Sequence, residues 1–236
     1  MPVHLYGVLD ADAPFAPTKG LDGRVVRVFA LSGRLALVSD LDEPKLAVTP
    51  RRLREHDAVL RDAVAAGRTV VPARLGRLYA DDSALTAALE AYDSVLDVAM
   101  TLVRGRVEMS LLIAGSRSSP SSPLSEHASE RGGGSPGREH LRRLRSEREG
   151  ERNMLHGASD LAQVAACALS GIVVAERAVA NPAPPVLVAR AHLVARDHIS
   201  RYLVTVKAVA AASGSAYRVA VRGPGAAYSF AAVQGG

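Results

Sequence analysis

The seven histidines of the chain are the residues best suited to acid–base chemistry and metal binding near neutral pH. No two of them have the i, i+4 spacing that places a pair of zinc ligands on one face of a helix, and no carboxylate cluster accompanies them. The single cysteine, Cys167, excludes an internal disulfide and a cysteine-based metal cluster. The sequence therefore predicts no metal site and no cofactor.

Nucleophilic catalysis has no clearer support in the sequence. No serine lies in the strand-turn-helix setting of a nucleophile elbow, and no dinucleotide-binding glycine pattern follows a predicted strand. The paired carboxylates Asp42/Glu43 and Asp81/Asp82 are typical of loops and helix caps. Because no set of residues supplies a nucleophile, a base and an oxyanion donor together, we expect a protein that is not an enzyme.

Two polar residues in apolar surroundings are the candidates for a site. His56 lies on the apolar face of a predicted helix, where a core histidine that donates one hydrogen bond explains it. Arg74 lies in an otherwise apolar loop. Because an unpaired buried charge is very costly, we expect either an ion pair between Arg74 and Glu108 or an exposed Arg74 that binds a ligand or partner. The exposed arrangement leaves open a small-ligand-binding or enzymatic α+β protein with its site near Arg74 and His56.

The positive charge of the chain comes almost entirely from arginine. The net charge is +5, and Arg138–Arg152 alone contains six arginines with four interspersed glutamates. Opposite charges at helical spacing favour a solvated helix over a nucleic-acid surface. No aromatic residue lies among these arginines to stack on bases, so nucleic-acid binding is an unfavoured alternative.

Neither the first residues nor the longest nearly uncharged stretch has a membrane-directing pattern. The first residues show no basic and apolar signal sequence. The longest nearly uncharged stretch, Leu155–Ala175, contains His156, Asp160 and Gln163. Its apolar part is shorter than the roughly 20 residues that span a bilayer. We therefore expect a cytoplasmic protein without a membrane partner.

A segment rich in Ser, Gly and Pro, Gly115–Gly137, divides the chain in two. Such a composition cannot bury enough apolar surface to offset the entropy lost on ordering, which is typical of a flexible linker. The sequence thus predicts an N-terminal α+β domain over residues 1–114, a linker over 115–137, and a C-terminal α+β domain with an aromatic tail over 138–236.

Hydrophobic periodicity and turn residues predict the elements of the first domain. Five strands are expected at Val3–Leu9, Arg24–Ala30, Arg34–Asp40, Thr69–Val71 and Arg106–Ile113. A helix begins at Thr49-Pro50, where Thr49 can cap and Pro50 suits the first turn. A second, long amphipathic helix begins at Asp81 and continues to about Val103.

The second domain is predicted to alternate helices and strands. A helix extends from Arg138 to about Ala178, and a strand follows at Val186–Arg196. A further helix runs from a cap at Asp197 to Gly214, and the last strand is Ala216–Arg222. This order indicates an α+β domain.

Two motifs resemble those of the gas vesicle protein F/L family. Gly223-Pro224-Gly225-Ala226-Ala227-Tyr228-Ser229-Phe230 resembles the closing Gly-Pro-Trp-Pro-Pro-Tyr-Ser-Phe of that family, without its Trp and two prolines. Val71-Pro72-Ala73-Arg74-Leu75-Gly76-Arg77-Leu78-Tyr79 resembles its Pro-Val-Arg-Phe-Gly-Thr-Val-Phe segment. Further matching points occur in the same order at Leu5-Tyr6-Gly7-Val8, Leu37-Val38-Ser39, His56, Glu108 and Ala191-His192-Leu193-Val194.

The resemblance implies two α+β domains, the second ferredoxin-like with a C-terminal extension. It implies a minor, non-enzymatic component of cytoplasmic gas vesicles that helps to nucleate the shell. Its partners would be the very hydrophobic major shell protein, which it keeps from aggregating, and other gas vesicle accessory proteins. In this family a histidine recurs at the position of His56, where it would position the loop that carries Arg74. The structural or partner-binding candidates are His56, Arg74, Glu108, Tyr202, Tyr228 and Phe230.

A protein that shields a hydrophobic subunit needs an exposed apolar surface or an exposed strand edge. The strands Val3–Leu9 and Val186–Arg196 are the candidates for such an edge. We also expect the C-terminal strand and its aromatic tail to form part of the contact surface. The missing Trp and prolines are expected to weaken the anchoring of that tail.

Overall fold

The computed structural model describes residues 1–11, 19–31, 33–116 and 136–231. Within these ranges the chain forms two antiparallel sheets and five α-helices, in agreement with the predicted α+β class. Most of the predicted linker, residues 117–135, lies outside the described residues. Its flexibility and the domain limits at 114 and 138 therefore stay predictions.

The first sheet has five strands, with the N-terminal strand in its middle. The strands are β1 Val3–Asp10, β2 Arg27–Leu31, β3 Arg34–Asp40, β4 Val70–Pro72 and β5 Leu78–Tyr79. Their order is β2-β3-β1-β4, and β5 also pairs with β1. Every residue of β1 from Val3 to Leu9 is buried, because its run of apolar residues faces packed layers on both sides. The prediction that this strand forms an open edge is therefore wrong.

The second sheet contains four strands in the order β7-β8-β6-β9, and every neighbouring pair is antiparallel. The strands are β6 Arg106–Gly115, β7 Val173–Ala178, β8 Val186–Ala195 and β9 Tyr217–Gly225. With its helices the chain runs β-α-β-β-α-β, the connectivity expected of a ferredoxin-like unit. Two expectations need correction. β6, predicted to close the first half, is an inner strand of this sheet, and β8, predicted as an edge, lies between β7 and β6.

The five described helices are α1 Pro50–Ala65, α2 Asp82–Ala91, α3 Asp93–Val103, α4 Pro136–Ala168 and α5 Ile199–Ala212. Two of them, α1 and α2, begin at the cap residues that the sequence predicted. The Thr49 side chain accepts a hydrogen bond from the Arg52 amide at the start of α1, and Asp81 accepts one from the Ala84 amide at the start of α2. A 3-10 turn, Arg196–His198, precedes α5. No side-chain hydrogen bond caps the start of this turn.

Two predicted helices end earlier than periodicity indicated. The helix expected from Asp81 to Val103 is interrupted at Tyr92, whose φ of −106° and ψ of 13° depart from helical values and separate α2 from α3. The helix expected to reach Ala178 ends at Ala168. There Gly171 takes a φ of +77°, and the β-branched residues that follow it favour the strand β7.

The two sheets share one continuous core. A single cluster of buried apolar residues joins Tyr6 of β1 and Leu60 of α1 to Met109 of β6, Tyr202 of α5 and Ala226 after β9. The half-buried guanidinium of Arg196 donates to the carbonyls of Val64 and Arg68 at 2.8 Å each, which ties the second sheet to the end of α1. The C-terminal tail therefore lies within a packed interface.

Candidate functional site

The C-terminal tail, residues Gly223–Ala231, packs against the first half of the chain. Ala226, Ala227 and Ala231 are buried in the two largest core clusters. The carboxylate of Glu108 on β6 accepts hydrogen bonds from the Ser229 amide at 2.7 Å and from its hydroxyl at 2.8 Å. Burial raises the pKa of Glu108, and the two bonds from Ser229 act in the opposite direction. Glu108 is thus the anchor of the tail.

The predicted ion pair between Arg74 and Glu108 is wrong. Glu108 is turned toward Ser229, and Arg74 is exposed to solvent. The physical reason is the sheet assignment, because β6 belongs to the second sheet, whereas Arg74 follows β4 of the first. An exposed guanidinium keeps its hydration, so it needs no buried partner.

His56 is buried, as expected for a core histidine, and makes two hydrogen bonds instead of one. Its Nε2 lies 2.9 Å from the carbonyl oxygen of Ala73, and its Nδ1 lies 3.0 Å from Nε2 of His4. Because a carbonyl oxygen only accepts, Nε2 of His56 carries the proton, and Nδ1 accepts from Nε2 of His4. The buried pair therefore holds the residue that precedes Arg74.

Burial keeps both rings of this pair neutral. Burial and the neighbouring His56 ring lower the pKa of His4 to about 3, against a smaller opposing effect of the Arg77 carbonyl. Burial also lowers the pKa of His56, against the effect of the Ala73 carbonyl. In the unfolded chain the His4 imidazole has its ordinary pKa of 6.5, so between pH 6.5 and 3 the unfolded state binds more protons. Stability is therefore lost as the pH falls through this window.

Acidification from pH 7.5 to 5.0 is expected to lower the free energy of unfolding by about 2 kcal/mol through His4 alone. Urea denaturation at the two pH values measures this loss. The loss should shrink by about the same amount in His4→Gln, which cannot take up a proton, and should persist in the exposed control His156→Gln. An equal loss in wild type and His4→Gln would contradict this assignment.

Three of the six candidates line one cleft, which we call the Arg74 cleft. It has a volume of about 540 Å³ between α1 and the loop after β4. Its lining residues are Val48, Leu53, Arg54, His56, Asp57, Arg74, Leu75 and Tyr228. The rings of His56 and Tyr228 lie 6.5 Å apart, and burial raises the pKa of the Tyr228 phenol, so both are uncharged at neutral pH.

A second surface, the α3–tail groove, lies between α3 and the tail and has a volume of about 400 Å³. Its lining residues are Val71, Tyr92, Val95, Leu96, Val98, Ala99, Leu102, Arg177, Tyr228, Ser229, Phe230 and Ala231. Val95 is 61% exposed and Val98 is 72% exposed. The Arg177 guanidinium lies 5.7 Å from the centre of the Phe230 ring at one side of the groove.

The exposed apolar face of α3 is the part of the site that sequence reasoning missed. The sequence predicted one amphipathic helix from Asp81 to about Val103, but after the break at Tyr92 the buried line of α3 is Leu96, Met100 and Val103. This leaves Val95 and Val98 on the outside. The available signal was composition, because seven of the eleven α3 residues are apolar, more than one buried stripe requires.

Tyr202 does not reach either surface. It is fully buried in α5, and its hydroxyl lies 2.7 Å from Nδ1 of His192. Nε2 of His192 lies 3.4 Å from a carboxylate oxygen of Glu176. This network supports a structural role for Tyr202 inside the second half.

The described residues contain neither a metal-binding cluster nor a membrane-spanning helix. Among the residues that the structure describes, no three His, Cys, Asp or Glu side chains lie close enough together to hold a metal ion. None of the helices in those ranges has the length and apolar character needed to cross a membrane. The Arg74 cleft and the α3–tail groove each contain more than one of the six candidate residues.

The fold resembles that of two solved gas vesicle proteins. The crystal structure of GvpF from Anabaena sp. PCC7120 matches with a TM-score of 0.77 and 21% identity over 99% of this chain and 97% of that one. GvpF from Microcystis aeruginosa matches with a TM-score of 0.74 and 19% identity over 97% of this chain and 98% of that one. At these identities the likeness establishes the fold.

The sequence establishes the family. A sequence model of the gas vesicle synthesis protein GvpL/GvpF family matches residues 2–232, so the chain belongs to this family. Gas vesicle protein F of Nostoc sp. (strain PCC 7120 / SAG 25.82 / UTEX 2576) is 31% identical over 114 residues. That match spans about half of each protein, 47% of this chain and 47% of the relative. Membership supports a role in gas vesicle formation, in a family of structural and assembly proteins and not of known enzymes.

Proposed function

We propose that this protein acts in gas vesicle assembly by binding the hydrophobic major shell protein and limiting its aggregation while the shell nucleates. It would do so in the cytoplasm, on the forming vesicle, together with other gas vesicle accessory proteins. The observation that carries the proposal is the α3–tail groove, where apolar side chains on a well-packed helix remain open to solvent.

The groove has the chemistry that a hydrophobic partner requires. On a soluble protein, an exposed apolar patch that is larger than single scattered side chains marks a candidate interaction surface. Val95, Val98 and Leu102 recur at helical spacing on one side of α3, and Phe230 of the tail lines the same groove. An apolar groove between a helix and an aromatic segment suits an amphipathic helix of a partner.

The Arg74 cleft is less suited to the alternative of an enzyme. Both ring nitrogens of His56 make hydrogen bonds inside the protein, so this ring is not free to act as a general base. Burial lowers the pKa of His56 and raises that of Tyr228, so both groups are uncharged at neutral pH. These features favour binding over catalysis at that cleft.

Co-expression of the full-length tagged chain with the major shell protein tests the proposal. We expect shell protein to remain in the soluble fraction and to co-purify with the tag. A matched tagged protein of similar size that lacks this fold serves as the control. Shell protein that pellets equally in both cultures, with the tagged chain itself soluble and monodisperse, would contradict the proposal.

A further inference from the structure

The loop that carries Arg74 is held rigidly on the body of the protein. The Ala73 amide donates to the Tyr6 carbonyl at 2.7 Å, and the Ala73 carbonyl accepts from His56 at 2.9 Å. At the other end of the loop, the Leu5 amide donates to the Arg77 carbonyl at 3.0 Å. Arg74 therefore projects into solvent from a fixed backbone, which reduces the entropy that a partner must remove on binding.

Two arginines face the cleft without a carboxylate of their own. Arg54 and Arg74 are both exposed, and neither forms an ion pair with any residue in the described part of the chain. The other arginines of α1 differ, because each lies within ion-pair distance of a carboxylate. These pairs are Arg51 with Glu55, Arg52 with Asp22, and Arg61 with Asp57.

The floor between these arginines is apolar. Leu53 is 47% exposed and Val48 is 64% exposed, and both line the cleft beside Leu75 and the ring of Tyr228. Asp57 is the acidic lining residue, and its carboxylate is 2.9 Å from Arg61. Apolar contacts and two available guanidinium groups thus occur within one cleft of about 540 Å³.

We infer that the Arg74 cleft binds an acidic segment of a second protein, with carboxylates paired to Arg54 and Arg74 and apolar side chains on Leu53 and Leu75. The two arginines favour a partner segment of negative charge, since arginine pairs with carboxylates through two parallel hydrogen bonds. Arginine and tyrosine at a partly apolar surface are also the residues that protein interfaces favour. This site shares Tyr228 with the α3–tail groove, but Arg54 and Arg74 lie outside that groove, and the inference does not depend on shell-protein binding there.

Fluorescence anisotropy with a defined peptide tests the inference on the full-length protein. The probe is a rhodamine-labelled peptide of two repeats of Glu-Leu-Ala-Glu-Leu-Gly, and the control peptide has lysine in place of glutamate. The acidic peptide should bind, and its affinity should fall as the salt concentration is raised. The lysine peptide should not bind. Equal binding of both peptides, or no binding of the acidic one, would overturn the inference.

Charge reversal locates the binding on the chain. The double variant R54E/R74E should bind the acidic peptide with an affinity at least about tenfold lower than that of wild type, because charge-assisted hydrogen bonds contribute more than neutral ones. The double variant R201E/R218E makes the same change in net charge at exposed arginines elsewhere and should stay within about twofold of wild type. Equal weakening in both variants would show a non-specific charge effect and refute the site.

A last comparison separates this inference from the proposed function. R54E/R74E should still retain the shell protein in the co-expression assay, since the α3–tail groove is unchanged. Loss of shell protein in R54E/R74E would show that the two surfaces act as one and would refute a separate acidic partner.

Discussion

Replacement of Gly223 by alanine is expected to destabilise the protein by about 3 kcal/mol and to release the tail from the shared core. Gly223 has a φ of +117°, a conformation that is strained for any residue with a side chain. An added Cβ would lie 2.7 Å from the Glu108 carbonyl oxygen and 3.0 Å from the Met109 sulfur. Backbone strain and this collision act together, because the Glu108 carbonyl belongs to the backbone of β6 and cannot move aside freely.

Urea denaturation followed by circular dichroism measures the loss, with Gly214→Ala as the matched control. Gly214 also has a positive φ, +68°, but an added Cβ there has no atom within 4 Å. Its replacement should therefore cost only the backbone strain, about 1 kcal/mol. Hydrogen exchange at Ala226 to Ala231 should accelerate in Gly223→Ala alone. If the two variants lose the same stability, the close approach to β6 does not hold the tail.

The double variant V95D/V98D is expected to lose at least about tenfold in shell-protein binding without a loss of stability. Both side chains are largely exposed in the free protein, at 61% and 72%, so the folded state does not depend on them. On a partner-covered surface, however, two carboxylates would be taken out of water without a counter-charge, which is strongly unfavourable. Titration of purified variants against shell protein kept soluble by detergent measures the change.

Val204→Asp is the control for this loss. Val204 is 69% exposed on α5, on the second half of the chain, and does not line the groove. This variant should bind like wild type. Equal loss in Val204→Asp and V95D/V98D would contradict the proposed surface, as would full binding by V95D/V98D.

Local features of the fold were predictable from sequence because they depend on neighbouring residues. Thr49 and Asp81 mark helix starts through their own side-chain bonds, and Gly33 with its positive φ turns the chain between β2 and β3. The two motifs around Arg74 and Tyr228 also gave the family, which the match over residues 2–232 confirms. None of these inferences needed a contact between distant segments.

Pairings between distant segments were not predictable. The alternating pattern of β6 shows that it is a strand but not which sheet accepts it, and the error led directly to the wrong partner for Glu108. The exposed face of α3 was likewise not predictable, because it depends on the break between α2 and α3 at Tyr92. Periodicity reports which residues of an element share a face, whereas the rotation of that element depends on the rest of the fold.

The altered tail motif lies in a buried segment of the chain. Ala226 and Ala227 occupy the positions of the two prolines in the family signature and are 7% and 2% exposed. Both alanines belong to buried core clusters, and the bonds of Ser229 to Glu108 hold the tail against β6. The expected weakening of the anchor by the loss of the Trp and prolines stays a prediction.

Photo-crosslinking from the exposed face of α3 is the measurement that we would make first. Benzoylphenylalanine placed at Val98 should crosslink to the major shell protein in co-expressing cells, and the same group at Val204 should not. Mass spectrometry of the adduct would identify the contacted segment, which we expect to be an apolar helix. Absence of an adduct from position 98 while the shell protein remains bound, or equal adducts from positions 98 and 204, would contradict binding at the α3–tail groove.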